Sequence, residues 1–360
     1  MEKERESGIE LLRIIAILMV IGVHAFLYGN YFEAARKCGG LVSSSAWLLR
    51  LMFRPAVNIF IIITGYFMAR EPLDLKKSYK RVLHVYASVY FYSVVLSLIT
   101  LLAGPDFYTV DGVTTPVHVI VLKMFFPVLS QNWYYVSDYI FLCLFAPFVN
   151  VALQNITKRQ YQVLIAVSSL VMSLWYVLED IVLLEDVIRT YGYDGISDGK
   201  NVFSFIYIYI LGGYVGMYVK RNKRVRARYL MVVILCLLLN YMLATRFDDI
   251  LGVEDIIISY SNPLIILMAV FMLMFFKDMH FHNHIINVLA SATLGVYAIH
   301  EFKYVRYAIW SLFDFSKMDC SNLLRNLISI AGAILVIFLL CTGIELLRKR
   351  LFGLISHIKI

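Results

Sequence analysis

The sequence predicts an all-α fold, a polytopic bundle of about ten membrane-spanning helices. Three observations carry this. Of the 360 residues, 61% are hydrophobic and only 16% charged, and mean hydropathy is +0.75. Apolar runs of about 20 residues, long enough to cross the hydrocarbon of a bilayer, recur along the whole chain, which a soluble domain has no reason to do. Basic residues gather in alternate linkers between those runs, as membrane topology demands.

The runs lie near Ile9–Tyr28, Ala46–Ala69, Val82–Ala103, Tyr134–Leu153, Tyr161–Leu178, Val202–Val219, Tyr229–Thr245, Ile256–Phe276, Ile285–Tyr304 and Leu323–Leu347. The first is too long for a removable signal peptide and lacks a small-residue cleavage site, so it is expected to stay as a helix. Linkers after even-numbered runs are basic: Arg70, Lys76, Lys77, Lys80 and Arg81; then Lys158 and Arg159; then Lys220, Arg221, Lys223, Arg224, Arg226 and Arg228. Arg348, Lys349 and Arg350 follow the last run. The intervening linkers are acidic or mixed, with Glu179, Asp180, Glu185 and Asp186 in one and Asp248, Asp249, Glu254 and Asp255 in another. Both termini are therefore expected in the cytoplasm. The formal net charge of +8 sits where topology wants it, which argues against a nucleic-acid footprint. The whole chain, 1–360, is expected to be one integral membrane domain without a soluble appendage.

Ionisable residues inside such runs cost roughly 2.5–3.5 kcal/mol on insertion scales and are read first as functional. Arg13 and His24 both lie in the first run. Eleven positions apart on a helix, they share one face at about 16 Å separation, Arg13 toward the cytoplasmic side and His24 toward the outer side. They can serve chemistry, or merely bridge neighbouring helices. The second run carries Arg54 and Asn58, one turn apart, and Thr64-Gly65, a pair that lets helices pack closely. Arg54 also fits a snorkelling interface anchor. Trp133, Tyr134, Tyr135, Asp138, Tyr139 and Pro147 mark the fourth run, where an interfacial aromatic belt explains the rings equally well. In the ninth, Thr293, Tyr297 and His300 align at i, i+4 and i+7; a satisfied structural histidine is the competing reading of His300.

Other features carry less. Cys38, Cys143, Cys236, Cys320 and Cys341 have no metal spacing; Cys38 and Cys320 both map to outer loops, where a bridge can form. His280, His282 and His284 alternate in a short basic-side linker and read as a solvated loop rather than a metal site, and no metal is expected. No internal repeat is visible.

Taken together, these residues resemble the acyltransferase 3 family of integral membrane acyltransferases, which commonly O-acetylate bacterial surface polysaccharides. The resemblance runs from Arg5 to the last helix. It rests on the spacing of Arg13 and His24 with Glu10 three residues before the arginine, on Phe60 to Gly65-Tyr66, on Trp133-Tyr134 with Tyr139 and Pro147, and on Gly295-Val-Tyr297-Ala-Ile-His300. Two positions depart from the family pattern: Thr64 replaces its usual serine, and Asn58 a frequent proline.

The resemblance implies transfer of an acetyl or other acyl group from cytoplasmic acetyl-CoA (acyl-CoA) to a hydroxyl of a cell-surface or lipid-linked glycan, in a bacterial cytoplasmic membrane. His24 is then the expected general base, its ordinary pKa of about 6.5 suiting neutral pH. Glu10 would fix Arg13, and Arg13 would meet the coenzyme's phosphates. Tyr297 and His300 would orient the acceptor or stabilise the oxyanion. Arg54, Asn58, Trp133 and Tyr139 are candidates for holding substrate, and Ser291 and Thr293 lie where a covalent carrier would have to be. The second reading is a transporter or flippase of a lipid-linked glycan, although the repeated halves of many transporters are not seen. A polysaccharide polymerase is less well supported, because the outer loop from Glu179 to Asn201 is acidic rather than arginine-rich.

Overall fold

In the computed structural model, which describes residues 6–179, 199–246 and 254–357, nearly every element is a helix. In chain order these are α1 (Ser7–Tyr28), α2 (Tyr31–Cys38), α3 (Gly40–Phe53), α4 (Ala56–Met68), α5 (Leu75–Ala103) and α6 (Val117–Phe125). There follow α7 (Tyr134–Gln154), α8 (Lys158–Ser169), α9 (Trp175–Glu179), α10 (Val202–Tyr218), α11 (Arg226–Arg246) and α12 (Glu254–Ile258). The chain closes with α13 (Pro263–Lys277), α14 (His284–Ser291), α15 (Thr293–His300), α16 (Lys303–Leu312) and α17 (Leu323–His357). The only β structure among the described residues is a two-stranded hairpin, β1 (Thr109–Val110) with β2 (Val113–Thr114), antiparallel with Thr109 opposite Thr114. Asp180, Glu185, Asp186, Asp248 and Asp249 of the acidic linkers lie outside the described residues.

Eight helical stretches among the described residues are long and apolar enough to span a membrane. The ninth run is a helical pair, His284–His300 and Lys303–Leu312, bent by 91°. The run at 202–218 is helical but only 17 residues long. The chain is thus a multi-pass membrane protein of helical type.

Its described residues pack as two compact units, one drawn from within 1–16, 47–84 and 134–282 and the other from within 17–46, 85–133 and 283–360. In the first, α4 and α10 approach backbone to backbone. A Cβ on Gly65 would strike the Tyr209 carbonyl, one on Gly212 the Ile62 carbonyl, and one on Gly216 the Tyr66 carbonyl, so the small-residue contact expected at Gly65 is present. Beside it, the span that begins with α12 breaks at Ser259–Asn262, and side chains satisfy the carbonyls released there. Arg54 Nε donates to Ile258 O, Asn58 Nδ2 to Tyr260 O at 2.9 Å, and Ser173 Oγ to Ser261 O at 2.6 Å. Buried Asn262 reaches Asn240 Oδ1 at 3.1 Å and caps α13 by accepting from the Leu264 N–H at 2.8 Å.

In the second unit, α15 packs on α17 around Glu345. This buried carboxylate accepts from the Tyr92 hydroxyl at 2.5 Å and from Arg348 at 2.7 and 2.8 Å. Gly295 lies opposite it, and a Cβ there would lie 2.5 Å from the carboxylate and displace it. At the His24 end of α1, Cys38 and Cys320 form a disulfide with Cα atoms 5.0 Å apart, so the bridge that the outer-loop positions allowed is made. Near it, Asp314 accepts from the Ser316 hydroxyl at 2.7 Å and from Asn30 at 3.2 Å. The Ser316 hydroxyl and backbone N–H, and then Asn30, hold this exposed carboxyl below its usual range.

Candidate active site

His24 sits one turn before the end of α1 and is buried, with His300 as the last residue of α15. The Glu301 N–H bonds back to Tyr297 O at 3.1 Å, ending the helix, and the sharp bend then carries α16 away. The bend brings Glu301 to His24 and returns Arg306, five residues on, to Glu301. His24 Nδ1 lies 3.1 Å from His300 Nε2 and 3.1 Å from Glu301 Oε2. Arg306 pairs with Glu301 Oε1 at 2.6 Å and lies 4.0 Å above the Tyr28 ring, which meets Tyr307 edge-on.

The protons in this cluster follow from its acceptors. His300 Nδ1 lies 2.6 Å from Val296 O, and a carbonyl only accepts, so Nδ1 carries the proton. In the neutral ring the Nε2 lone pair therefore faces His24. His24 Nδ1 thus confronts two acceptors, that lone pair and a carboxylate, and holds its own proton there. The His24 lone pair is then on Nε2. With Nδ1 held by His300 Nε2 and the Glu301 carboxylate at ion-pair distance, Nε2 is the nitrogen that can act as a base.

Of the sequence candidates, His24 and His300 are brought together; Tyr297, also buried, has its ring 6.1 Å from that of His300. Trp133 is buried too, donates to Ala298 O at 3.2 Å and packs on Phe302, bracing the end of α15. Ser291 and Thr293 donate to Val288 O and Ala290 O. Lys349 reaches Ser291 Oγ at 3.1 Å and Glu345 at 3.7 Å.

The first unit holds the other candidates. Glu10 accepts from Arg13 at 3.3 Å, as the three-residue spacing implied. Arg13 lies 5.9 Å from the centre of the Phe67 ring and close enough to Tyr135 and Tyr139 to act on both electrostatically. Those two rings stack at 5.9 Å, and the Thr64 hydroxyl donates to Phe60 O at 2.9 Å. Arg221 at the same unit's surface is paired with Glu6 and lies 3.4 Å from the Tyr66 hydroxyl. Arg54 and Asn58 are committed to the break in the α12–α13 span, Arg54 also stacking 4.6 Å over Tyr260. His280, His282 and His284 are exposed, as a solvated linker requires.

Sequence reasoning missed Glu301 and Arg306. Their signal was a Glu directly after His300 and an Arg five residues later. Both stand at the edge of the ninth run, where interfacial charge is ordinary; only the bend makes Glu301 a buried partner of His24 and sets Arg306 on Glu301.

The acyltransferase domain, as a family pattern, matches residues 6–344. An amino-acid racemase of Enterococcus faecalis is 33% identical over 100 residues, which are 26% of this chain and 13% of the racemase. The match thus spans about an eighth of that relative. No solved structure matches the chain.

Proposed function

Because the chain belongs to the acyltransferase 3 family, we propose that it moves an acetyl group from cytoplasmic acetyl-CoA to a hydroxyl of a surface or lipid-linked glycan, with His24 as general base. The observation that carries this reading is the buried His24–His300–Glu301 cluster, in which His24 Nδ1 lies against His300 and Glu301. His24 Nε2 takes the acceptor proton as the hydroxyl oxygen attacks the thioester carbonyl, and the coenzyme leaves as its thiol after taking up a proton. Tyr297 is the candidate for meeting the oxyanion, while His300 orients His24. Arg13, steadied by Glu10, meets the coenzyme's phosphates. Tyr139, stacked on Tyr135, supplies an aromatic face for substrate. Trp133 supports the site as scaffold through Ala298 O, while Arg54 and Asn58 each donate to a backbone carbonyl of the first unit.

Transfer in this reading is direct. Lys349 lies beside Glu345 and donates to Ser291, a pairing that does not activate Ser291 as a nucleophile. The disulfide at the His24 end supports placing that end outside a bacterial cytoplasmic membrane, where thiols are oxidised. The racemase likeness covers too little of that protein to bring its chemistry here.

The second reading, a flippase for a lipid-linked glycan, is favoured by the broken span at Ser259–Asn262 and the bend after His300, since discontinuous helices serve transporters. One experiment separates the two. Membranes holding the parent or His24→Ala protein receive radiolabelled acetyl-CoA and host glycan, and alkali-labile label in the glycan is counted. Label with the parent alone, at equal protein abundance, is the expected result. No label from either, with glycan reaching the outer face only when the protein is present, overturns acyl transfer in favour of transport.

A further inference from the structure

We propose that His24 Nδ1, His300 Nε2 and Glu301 Oε2 form a binding site for a divalent cation of the zinc class, and that a cation seated there switches His24 off as a base. The second half rests on the role proposed for His24; the first does not.

The donor set is two imidazole nitrogens and one carboxylate oxygen, all buried and within 4.8 Å of one another. Two of the separations are 3.1 Å. Ligands at zinc distances of about 2.0–2.1 Å on a tetrahedron stand about 3.3 Å apart, which the two separations from His24 already match, leaving the fourth position for water.

The groups behind the ligands match as well. Metal-binding histidines donate their other ring N–H to a carbonyl or carboxylate, and ligating carboxylates are themselves hydrogen-bonded. His300 Nδ1 meets Val296 O. Arg306 holds Glu301 Oε1, while among the described residues buried Oε2 has no hydrogen-bond donor on it and has the His24 ring nitrogen at ion-pair distance. Two neutral nitrogens and one carboxylate, with a guanidinium nearby, suit zinc or cobalt and not magnesium or calcium, which want several oxygens.

The consequence follows from the tautomer. A neutral imidazole has one lone pair. When the cation takes Nδ1, the proton held there moves through solvent to Nε2, with none released overall. Nε2 then has no lone pair with which to accept a proton from an acceptor hydroxyl. Cation binding and catalysis compete for the same imidazole.

The test uses the purified full-length protein in detergent, with Co2+ as the probe. The parent is expected to show the intense visible bands of four-coordinate cobalt, bleached by zinc. His300→Gln and Glu301→Gln should each weaken binding by at least about tenfold, while eluting as the parent does and keeping the Cys38–Cys320 bridge. Changing His280, His282 and His284 together to Asn should leave the spectrum intact. A folded parent without these bands overturns the site, as does a spectrum that survives both substitutions or is lost with the linker histidines. In acetyl transfer by the parent, zinc should lower kcat and a chelator restore it; undiminished transfer by zinc-loaded protein overturns the switch. Bound cobalt in a protein that never transfers acetyl counts against the transferase reading and leaves the site standing.

Discussion

In the proposed reading His24 carries the heaviest demand of any residue, because a general base contributes about 100- to 10,000-fold to rate. His24→Ala should therefore lower kcat for acetyl transfer by that much at unchanged protein abundance. Glu301 acts through it. Glu301→Gln keeps an oxygen facing Nδ1–H but removes the charge that favours the imidazolium formed in transfer, so kcat should fall about tenfold to a hundredfold, less than for His24→Ala. KM for acetyl-CoA should stay as it is, since Glu301 meets no coenzyme in this reading. A rise in KM with unchanged kcat would assign Glu301 to binding instead. Arg13→Ala should do the reverse, raising the KM for acetyl-CoA well beyond its effect on kcat. Steady-state kinetics on membranes at matched protein level separate these patterns.

Among the elements, α4 and α10 are joined by the absence of side chains. Adding a methyl at Gly65 or Gly212 drives it into a backbone carbonyl, which cannot rotate away as a side chain would. Gly65→Ala and Gly212→Ala should each cost about 1–3 kcal/mol, seen as a lower melting temperature of the detergent-solubilised protein. Gly332 and Gly343 on α17 are the internal control, with nothing within 4 Å of an added Cβ. Alanine there should be neutral or stabilising by about 0.4–1 kcal/mol. Equal losses at all four positions would show that close approach to a backbone carbonyl does not set the effect. The sequence pointed to Gly65 as a packing residue. Its partners on α10 came from the fold, because 3.6-residue periodicity does not say which helix lies opposite.

At the scale of the whole molecule, the charge pattern and the disulfide make one joint statement about topology. Basic linkers belong to the cytoplasm, and a disulfide belongs to an oxidising compartment. In intact cells a membrane-impermeant maleimide should label Cys38 and Cys320 only after reduction. A cysteine introduced by Lys77→Cys should be labelled only in inverted vesicles. Labelling of Lys77→Cys from outside intact cells would reverse the orientation, and with it the side from which coenzyme is drawn.

By itself the sequence determined the class of the molecule, because hydrocarbon demands long apolar helices whatever they pack against. It also singled out His24, His300, Arg13 and Glu10, because charge or a titratable ring in such a helix is costly enough to need a reason, and Glu10–Arg13 is a local, one-turn pair. Only the tertiary structure decided what surrounds His24. Its partners come from 276 positions away and from a bend that no periodicity announces. Arg54 and Asn58 show the same limit from the other side. As polar residues in an apolar run they pointed to substrate, and in the fold they satisfy carbonyls of a broken helix some 200 residues on. A buried polar group must find a partner, and sequence reveals the need without revealing who meets it.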